Sequence, residues 1–225
     1  MQRSKLLKSR PDYSSDLTYL SVSKTKTFKD CQKKYKFTYI QKLPQKDRDY
    51  LAFGKLCHET LERFHKFQLA GDKRSPAELL PLCFAQAQTE DLDKNAWKKT
   101  ITKEQVEQAW KIIEEYIDII ETMPDEKKPT IMASERGFNV IIEDDNNKVI
   151  LNGFIDLTQT DPDGVLHVAD YKTSKDDKFL KKDFFQLLTY AFVLFLEHPE
   201  LNKVRCSYIM LKMGFKHITK EFTRK

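Results

Sequence analysis

Glycine is scarce in this chain, six residues of 225, where ordinary usage would supply roughly sixteen. The six stand far apart, so no glycine-rich loop of the P-loop kind is available to cradle a nucleotide. Cysteine is scarcer still. Cys31, Cys57, Cys83 and Cys206 are widely separated and form no CxxC pair, which argues against a zinc site and suits a reducing compartment. No apolar run is long enough to span a membrane, and no secretory signal precedes the first charged cluster. The expectation is a cytoplasmic protein without a membrane partner.

What is present is ordinary in bulk and uneven in detail. At 40% hydrophobic and 32% charged, the chain can bury a proper core as one large domain. The net charge is +5, but residues 1–48 hold thirteen Lys or Arg against four Asp, a local +9 against −4 for the rest. A basic segment on a near-neutral body suits a polyanionic partner. Residues 1–20 read as a basic flexible arm and residues 21–225 as one domain, with a helical insertion over about 71–128.

The densest chemistry lies between Glu135 and Lys172. Two runs rich in Val, Ile and Leu flank Asp161-Pro-Asp-Gly164, which reads as a β-hairpin turn. With Gly164 left-handed, the loop closes by pairing Asp161 with Val165. Counting back along both strands sets Asp156 opposite Asp170, and period-two alternation places Lys172 on the face of Asp170. Opposed carboxylates repel unless a cation lies between them. A hard divalent cation takes carboxylate oxygens, and Lys172 beside it can offset charge building on a phosphoryl group. The alternative is a plain cross-strand charged cluster in which Lys172 neutralises an aspartate.

The flanking segments are mostly helical. Ser21-Val-Ser-Lys24 opens a helix with Ser23 as N-cap; Phe28, Cys31 and Tyr35 form its apolar stripe, and Phe28 and Tyr35 are expected in the core. The lysines around it, including Lys24, Lys26, Lys33 and Lys34, are candidate phosphate contacts. A second helix begins near Gly54, with Cys57, Leu61 and Phe64 inward. His58 lies beside that stripe, a packed histidine or, given nearby carboxylates, a metal ligand. His65 is expected to be too far away to share the ion. Pro76–Gln88 and the pattern Val106, Trp110, Ile113, Ile117, Ile120 are scaffold helices. Glu135 enters a strand from Ile131 to Ile142. A very apolar helix from Lys182 carries Gln186 and Tyr190 at i and i+4, polar groups that need partners. Closing strands follow, turning at Met213-Gly214.

Taken in order, His58 on a helix, Glu135 on a strand, Gly153-x-x-Asp156, Asp170-x-Lys172 and Gln186-x-x-x-Tyr190 resemble a RecB-type nuclease of the PD-(D/E)XK superfamily. Ser21-Val-Ser-Lys-Thr-Lys-Thr-Phe-Lys-Asp-Cys31 with Lys34-Tyr35 is similar to the segment preceding that domain in helicase–nuclease subunits and CRISPR-adaptation nucleases. The resemblance implies an α/β fold, a mixed central sheet flanked by helices. It also implies Mg²⁺- or Mn²⁺-dependent DNA cleavage, commonly exonucleolytic, in recombination, repair or phage DNA metabolism. His58, Asp156 and Asp170 would hold the ion together with the Tyr171 carbonyl. Lys172 would position or polarise the attacking water, and Gln186 and Tyr190 would steady the active site and the DNA strand. Some relatives carry an iron–sulfur cluster; with Cys31 early and only Cys206 late, none is expected here. Any helicase or recombination partner would be a separate protein. The rival readings are a DNA-binding module of the same fold that does not cut, and an endonuclease or resolvase.

Overall fold

The computed structural model describes residues 3–6, 18–44, 49–90, 100–143, 145–178, 180 and 183–224. Its centre is the hairpin of β4 (Lys148–Thr160) and β5 (Leu166–Lys172). Gly164 takes φ 77°, and the turn closes through Gly164 N–H to Asp161 O at 2.8 Å and Asp161 N–H to Val165 O at 3.0 Å. The ladder then runs from Thr160 opposite Leu166 to Leu157 opposite Ala169. That is the register the turn chemistry implies; the ladder ends one step short of Asp156 and Asp170. Arg205 locks the turn from the neighbouring strand, reaching Asp161 at 2.5 Å and Asp163 at 2.8 Å. His167 adds a contact to Asp161 at 2.9 Å. Burial alone would raise the Asp161 carboxyl, but the bonds from His167, Arg205 and Gln159 hold it well below the usual range.

Around this hairpin a mixed seven-stranded sheet forms, in the order β1 (Arg3–Leu6), β3 (Thr130–Glu143), β4, β5, β6 (Lys203–Met210), β7 (Lys216–Thr223), with β2 (Thr18–Leu20) parallel to β4. The helix of Phe185–Glu197 links β5 to β6, which pair in parallel, as such a crossover requires. Two cores result, one on each face. On one face lie the helices of Asp49–Leu69, Pro76–Thr89 and Lys103–Glu121, over Leu157, Ala169, Tyr171 and Ile209. On the other, the Phe185–Glu197 helix covers Ile155, Val168, Tyr208 and Met210. In chain order the helices are α1 (Val22–Asp30), α2 (Gln32–Tyr35), α3 (Asp49–Leu69), α4 (Pro76–Thr89), α5 (Lys103–Glu121) and α6 (Phe185–Glu197). The segment at 71–128 thus supplies α4 and α5, which roof one face of the sheet through contacts such as Phe84 on Trp110.

The N-terminal region differs from expectation. Arg3–Leu6 pairs antiparallel with β3 and Thr18–Leu20 pairs with β4, so these parts of the arm expected to be flexible are strands. Ser21, not Ser23, caps α1, its side chain accepting the Lys24 N–H at 3.2 Å. Phe28 is 47% exposed rather than core. Its ring packs on Tyr35, which packs on Tyr39, so the stripe closes on itself along α1, α2 and the π-helix Lys36–Ile40. The apolar helix expected from Lys182 begins at Phe185, and residues 181–182 lie outside the described residues.

Gly153 has a packing reason. It stands opposite Phe138, and a Cβ there would lie 2.7 Å from the ring. Phe138 in turn stacks edge-on against Tyr190, with centroids 6.3 Å apart. Gly153→Ala should therefore overpack a buried aromatic and destabilise the fold by about 1–3 kcal/mol. Urea melts check this; an unchanged midpoint would show that the ring moves freely.

Candidate active site

Where β4 and β5 part, the Tyr171 N–H donates to Asp156 Oδ2 at 2.9 Å, a carboxylate standing in for a ladder carbonyl. Ile155 and Leu157 are two residues apart and would share a face in a regular strand, yet they lie in opposite cores. The pleat therefore breaks at Asp156. It breaks on the neighbouring strand as well: Glu135, opposite, has φ 46°, a left-handed conformation that L side chains avoid. This double break lets Asp156 reach α3, where His58 Nδ1 lies 3.2 Å from Oδ2.

Asp170 is 2% exposed and points toward α6. Its Oδ1 accepts from Gln186 Nε2 at 2.6 Å and from the Tyr190 hydroxyl at 3.0 Å. Its Oδ2 is ion-paired with Lys172 Nζ at 2.5 Å. Lys172 also donates to Gln186 Oε1 at 3.0 Å, and Gln186 reaches the Tyr190 hydroxyl at 2.7 Å. One glutamine thus ties together the lysine, the aspartate and the tyrosine.

The electrostatics are those of charges crowded out of water. Burial pushes the Asp170 carboxyl up, with Lys172 opposing and Asp156 adding to the rise. Asp156 is pulled down: burial works against its charge, but His58, the Tyr171 N–H and Lys172 outweigh it. Burial would discharge His58, yet the Asp156 carboxylate lifts its pKa to about 9. Glu135 is raised to about 7, first by burial and then by Asp156 and Glu62.

A divalent ion suits this set. Asp156, Asp170 and the His58 imidazole offer two carboxylates and a nitrogen, donor types that a divalent ion takes. His58 and Lys172 now supply the positive charge. Among the described residues no three His, Cys, Asp or Glu side chains are grouped as a ready metal cage, so Asp156 and Asp170 would have to turn from His58 and Lys172 toward an ion. Binding an ion would require His58 to release its proton.

Tyr171, read from the sequence for its carbonyl, does more: its buried hydroxyl meets His65 Nε2 at 3.1 Å. His65 is thus a support behind the site, its other nitrogen 3.1 Å from Gln68. Burial lowers its pKa to about 4, against an ordinary 6.5. The folded state therefore binds fewer protons than the unfolded one between those values. The resulting stability is complete above pH 6.5 and lost as pH falls toward 4, in total about 3 kcal/mol. Urea midpoints measured from pH 7.5 to 4.5 should fall more steeply for the wild type than for His65→Gln; parallel curves would refute this.

The lysines of α1 and α2 do not join this cluster. Lys24 bonds the Tyr19 carbonyl at 3.1 Å and Lys26 pairs with Asp183 at 2.7 Å, while Lys33 and Lys34 are exposed. Tyr190, expected to steady both the active site and a strand, is 3% exposed with its hydroxyl on Asp170, which places it against that carboxylate. The site opens into a cavity of about 710 Å³ bounded by His58 and Lys172, together with Lys55, Lys175 and Lys212. These last three escaped the sequence reading. Lys55 was legible, one turn before His58 on the same helix face. Lys212 was not, because only the parallel pairing of β5 with β6 brings it near. Glu135 lines a second cavity of about 500 Å³ with Glu59 and Glu62, on the other side of His58.

A family model described as PD-(D/E)XK nuclease superfamily matches residues 19–223. No curated protein matches the chain. Among solved structures, that of SSO0001 is similar at 14% identity and a TM-score of 0.31, over 83% of this chain and 80% of that one. That of Scheffersomyces stipitis Rai1, in complex with (3'-NADP)+ and calcium ion, is similar at 12% identity and a TM-score of 0.24, over 99% of this chain and 64% of that one. Likenesses this weak say nothing about chemistry. Among the described residues, no helix is long and apolar enough to cross a membrane.

Proposed function

The chain belongs to the PD-(D/E)XK nuclease superfamily, and from that membership and the site's geometry we propose a deoxyribonuclease dependent on Mg²⁺ or Mn²⁺ that degrades DNA from its ends. The observation that carries the reading is the buried Asp170, held by Gln186 and Tyr190 through one oxygen and paired with Lys172 at 2.5 Å through the other. Such a group is costly in an idle structure and useful around a cation. His58, Asp156, Asp170 and the Tyr171 carbonyl would hold the ion, which when bound acidifies water and polarises a phosphoryl oxygen.

The chain's own groups do the rest. Lys172, directed by Gln186, sets an ammonium where negative charge grows on the phosphoryl oxygens. Gln186 and Tyr190 fix the Asp170 rotamer through one of its oxygens and leave the other facing the site. Lys33 and Lys34, both exposed, would meet the strand's phosphates without reading its sequence. Lys24 and Lys26 would serve only after leaving Tyr19 and Asp183.

End-labelled linear DNA, single- and double-stranded, and covalently closed circles should be incubated with Mg²⁺, Mn²⁺ or EDTA. Metal-dependent shortening of linear DNA with intact circles is the expected result. Cut circles would make the enzyme an endonuclease, and intact DNA in every lane would reject the nuclease reading.

A further inference from the structure

The 710 Å³ cavity beside the site has a one-sided lining. Lys55, Lys175 and Lys212 border it, along with Lys172 and the hydroxyl residues Thr173 and Ser174, and no Asp or Glu does. Nearby lysines elsewhere have acidic partners: Lys66 with Glu62, Lys178 with Asp176, Lys216 with Asp177. Lys55, Lys175 and Lys212 have no ion-pair partner among the described residues. Lys212 instead rests on the face of Phe53, 3.4 Å from the ring centroid, which fixes its direction. Its pKa is lowered, by burial and by the charge of Lys175, while Cys57 opposes the fall. Like charges held together around an unshared space are stabilised by an anion placed between them.

Glu115 borders a neighbouring cavity with Lys175 and Lys212 but makes no ion pair with either among the described residues. Glu59, Glu62 and Glu135 line the second cavity, and the two cavities share only Lys55 and His58. There Arg63 and Lys66 pair with Glu59 and Glu62, so a nucleic-acid strand crossing the site meets unpaired cations on one side and mixed, paired charges on the other. Gly54 keeps α3 close to the cationic side, since a Cβ there would lie 3.0 Å from Thr173 Oγ1.

We propose that this cavity is a phosphate subsite, in which Lys55, Lys175 and Lys212 hold a phosphate of the substrate strand next to the one being cleaved. That the ligand is a nucleic-acid strand rests on the nuclease reading; that it is a phosphate-like anion rests on the lining alone. The subsite supplies binding energy and direction, not chemistry. Its loss should appear in KM and in salt dependence, leaving kcat nearly intact.

The test uses the full chain as wild type, Lys175→Gln, Lys175→Gln/Lys212→Gln and a charge-matched control, Lys148→Gln/Lys203→Gln, at the first residues of β4 and β6, at the far ends of those strands from Asp156 and Lys212. Binding of a single-stranded oligonucleotide is followed by anisotropy in EDTA, where no cleavage occurs, from about 50 to 200 mM salt. The double variant should flatten the slope of log K against log salt by about 1.4, two contacts at roughly 0.7 each. With Mg²⁺ its KM should rise about tenfold and its kcat stay within twofold. The control should match wild type, and the exposed Lys175→Gln should give about half the slope change if the double variant does not fold. Replacing one backbone phosphate next to the cleaved position by a neutral methylphosphonate should weaken wild type and leave the double variant unaffected. Oligonucleotides with and without terminal phosphates separate an internal phosphodiester from an end group as the occupant. Equal slopes and KM for wild type and double variant, or a fall confined to kcat, would overturn the proposal. A slope change with no cleavage by wild type would keep the phosphate subsite and reject the nuclease.

Discussion

Asp170→Asn is expected to abolish metal-dependent cleavage, by on the order of a thousandfold or more, while melting in EDTA no lower than wild type. The two halves have one cause. Asp170 is buried, its carboxyl pushed up by burial and by Asp156 against the pull of Lys172, so in the idle protein its charge is a burden. An acid whose folded pKa is raised subtracts stability once the pH passes its unfolded value near 3.8 and continues to do so up to the folded pKa. The isosteric amide removes that charge and still accepts from Gln186 and Tyr190 through its oxygen. It also replaces the oxygen beside Lys172 by an amide nitrogen, and the ammonium, on a side chain 25% exposed, turns to Gln186 and solvent. Wild type should gain stability from Mg²⁺ or Mn²⁺, about 2.7 kcal/mol at a hundred times the dissociation constant, and the variant should gain little. Thermal melts in EDTA and in each ion, beside a cleavage assay, check both halves. A variant that cuts at a tenth of the wild-type rate, or is equally stabilised by the ion, would remove Asp170 from the site.

The elements legible in the sequence were those set by local rules. Asp161-Pro-Asp-Gly164 dictated its loop, and the loop dictated the register as far as Leu157 opposite Ala169, one step short of the aspartates. Gln186 and Tyr190 at i and i+4 met as helical spacing requires. Where tertiary packing decided, the reading failed. An aromatic stripe looks the same whether it faces a core or folds on itself, so Phe28 was misplaced. Ser21 and Ser23 are equally good caps, and the entry of β2 into the sheet chose between them. Period-two counting also cannot foresee a residue that breaks the pleat. Glu135 in the left-handed region carries no sequence signal, yet it stands where Asp156 changes from strand residue to partner of His58. Strain of about 1–3 kcal/mol at such a residue is retained where the surroundings impose it.

Lys172→Met separates holding the ion from using it, because its effects should run opposite to those of Asp170→Asn in two of three measurements. Without the ammonium, Asp170 Oδ2 loses the cation 2.5 Å away, and Gln186 Oε1 loses its donor. Breaking a fully buried pair costs about 3–5 kcal/mol; with Lys172 25% exposed and Asp170 able to take a proton, about 2–3 is expected in EDTA. A divalent ion should restore that loss, and the melting shift it causes should exceed that of wild type, because in wild type the ion competes with the ammonium for Asp170. Cleavage should nevertheless fall by about 10²–10³-fold, since the group that offsets charge on the phosphoryl oxygens is gone. Metal titrations followed by melting, beside cleavage rates, decide the matter. If the ion fails to stabilise Lys172→Met, the lysine organises the ligands themselves. If it stabilises the variant and cleavage persists, another cation does the chemistry; His58 and Lys55, which border the same cavity, would be the first to substitute.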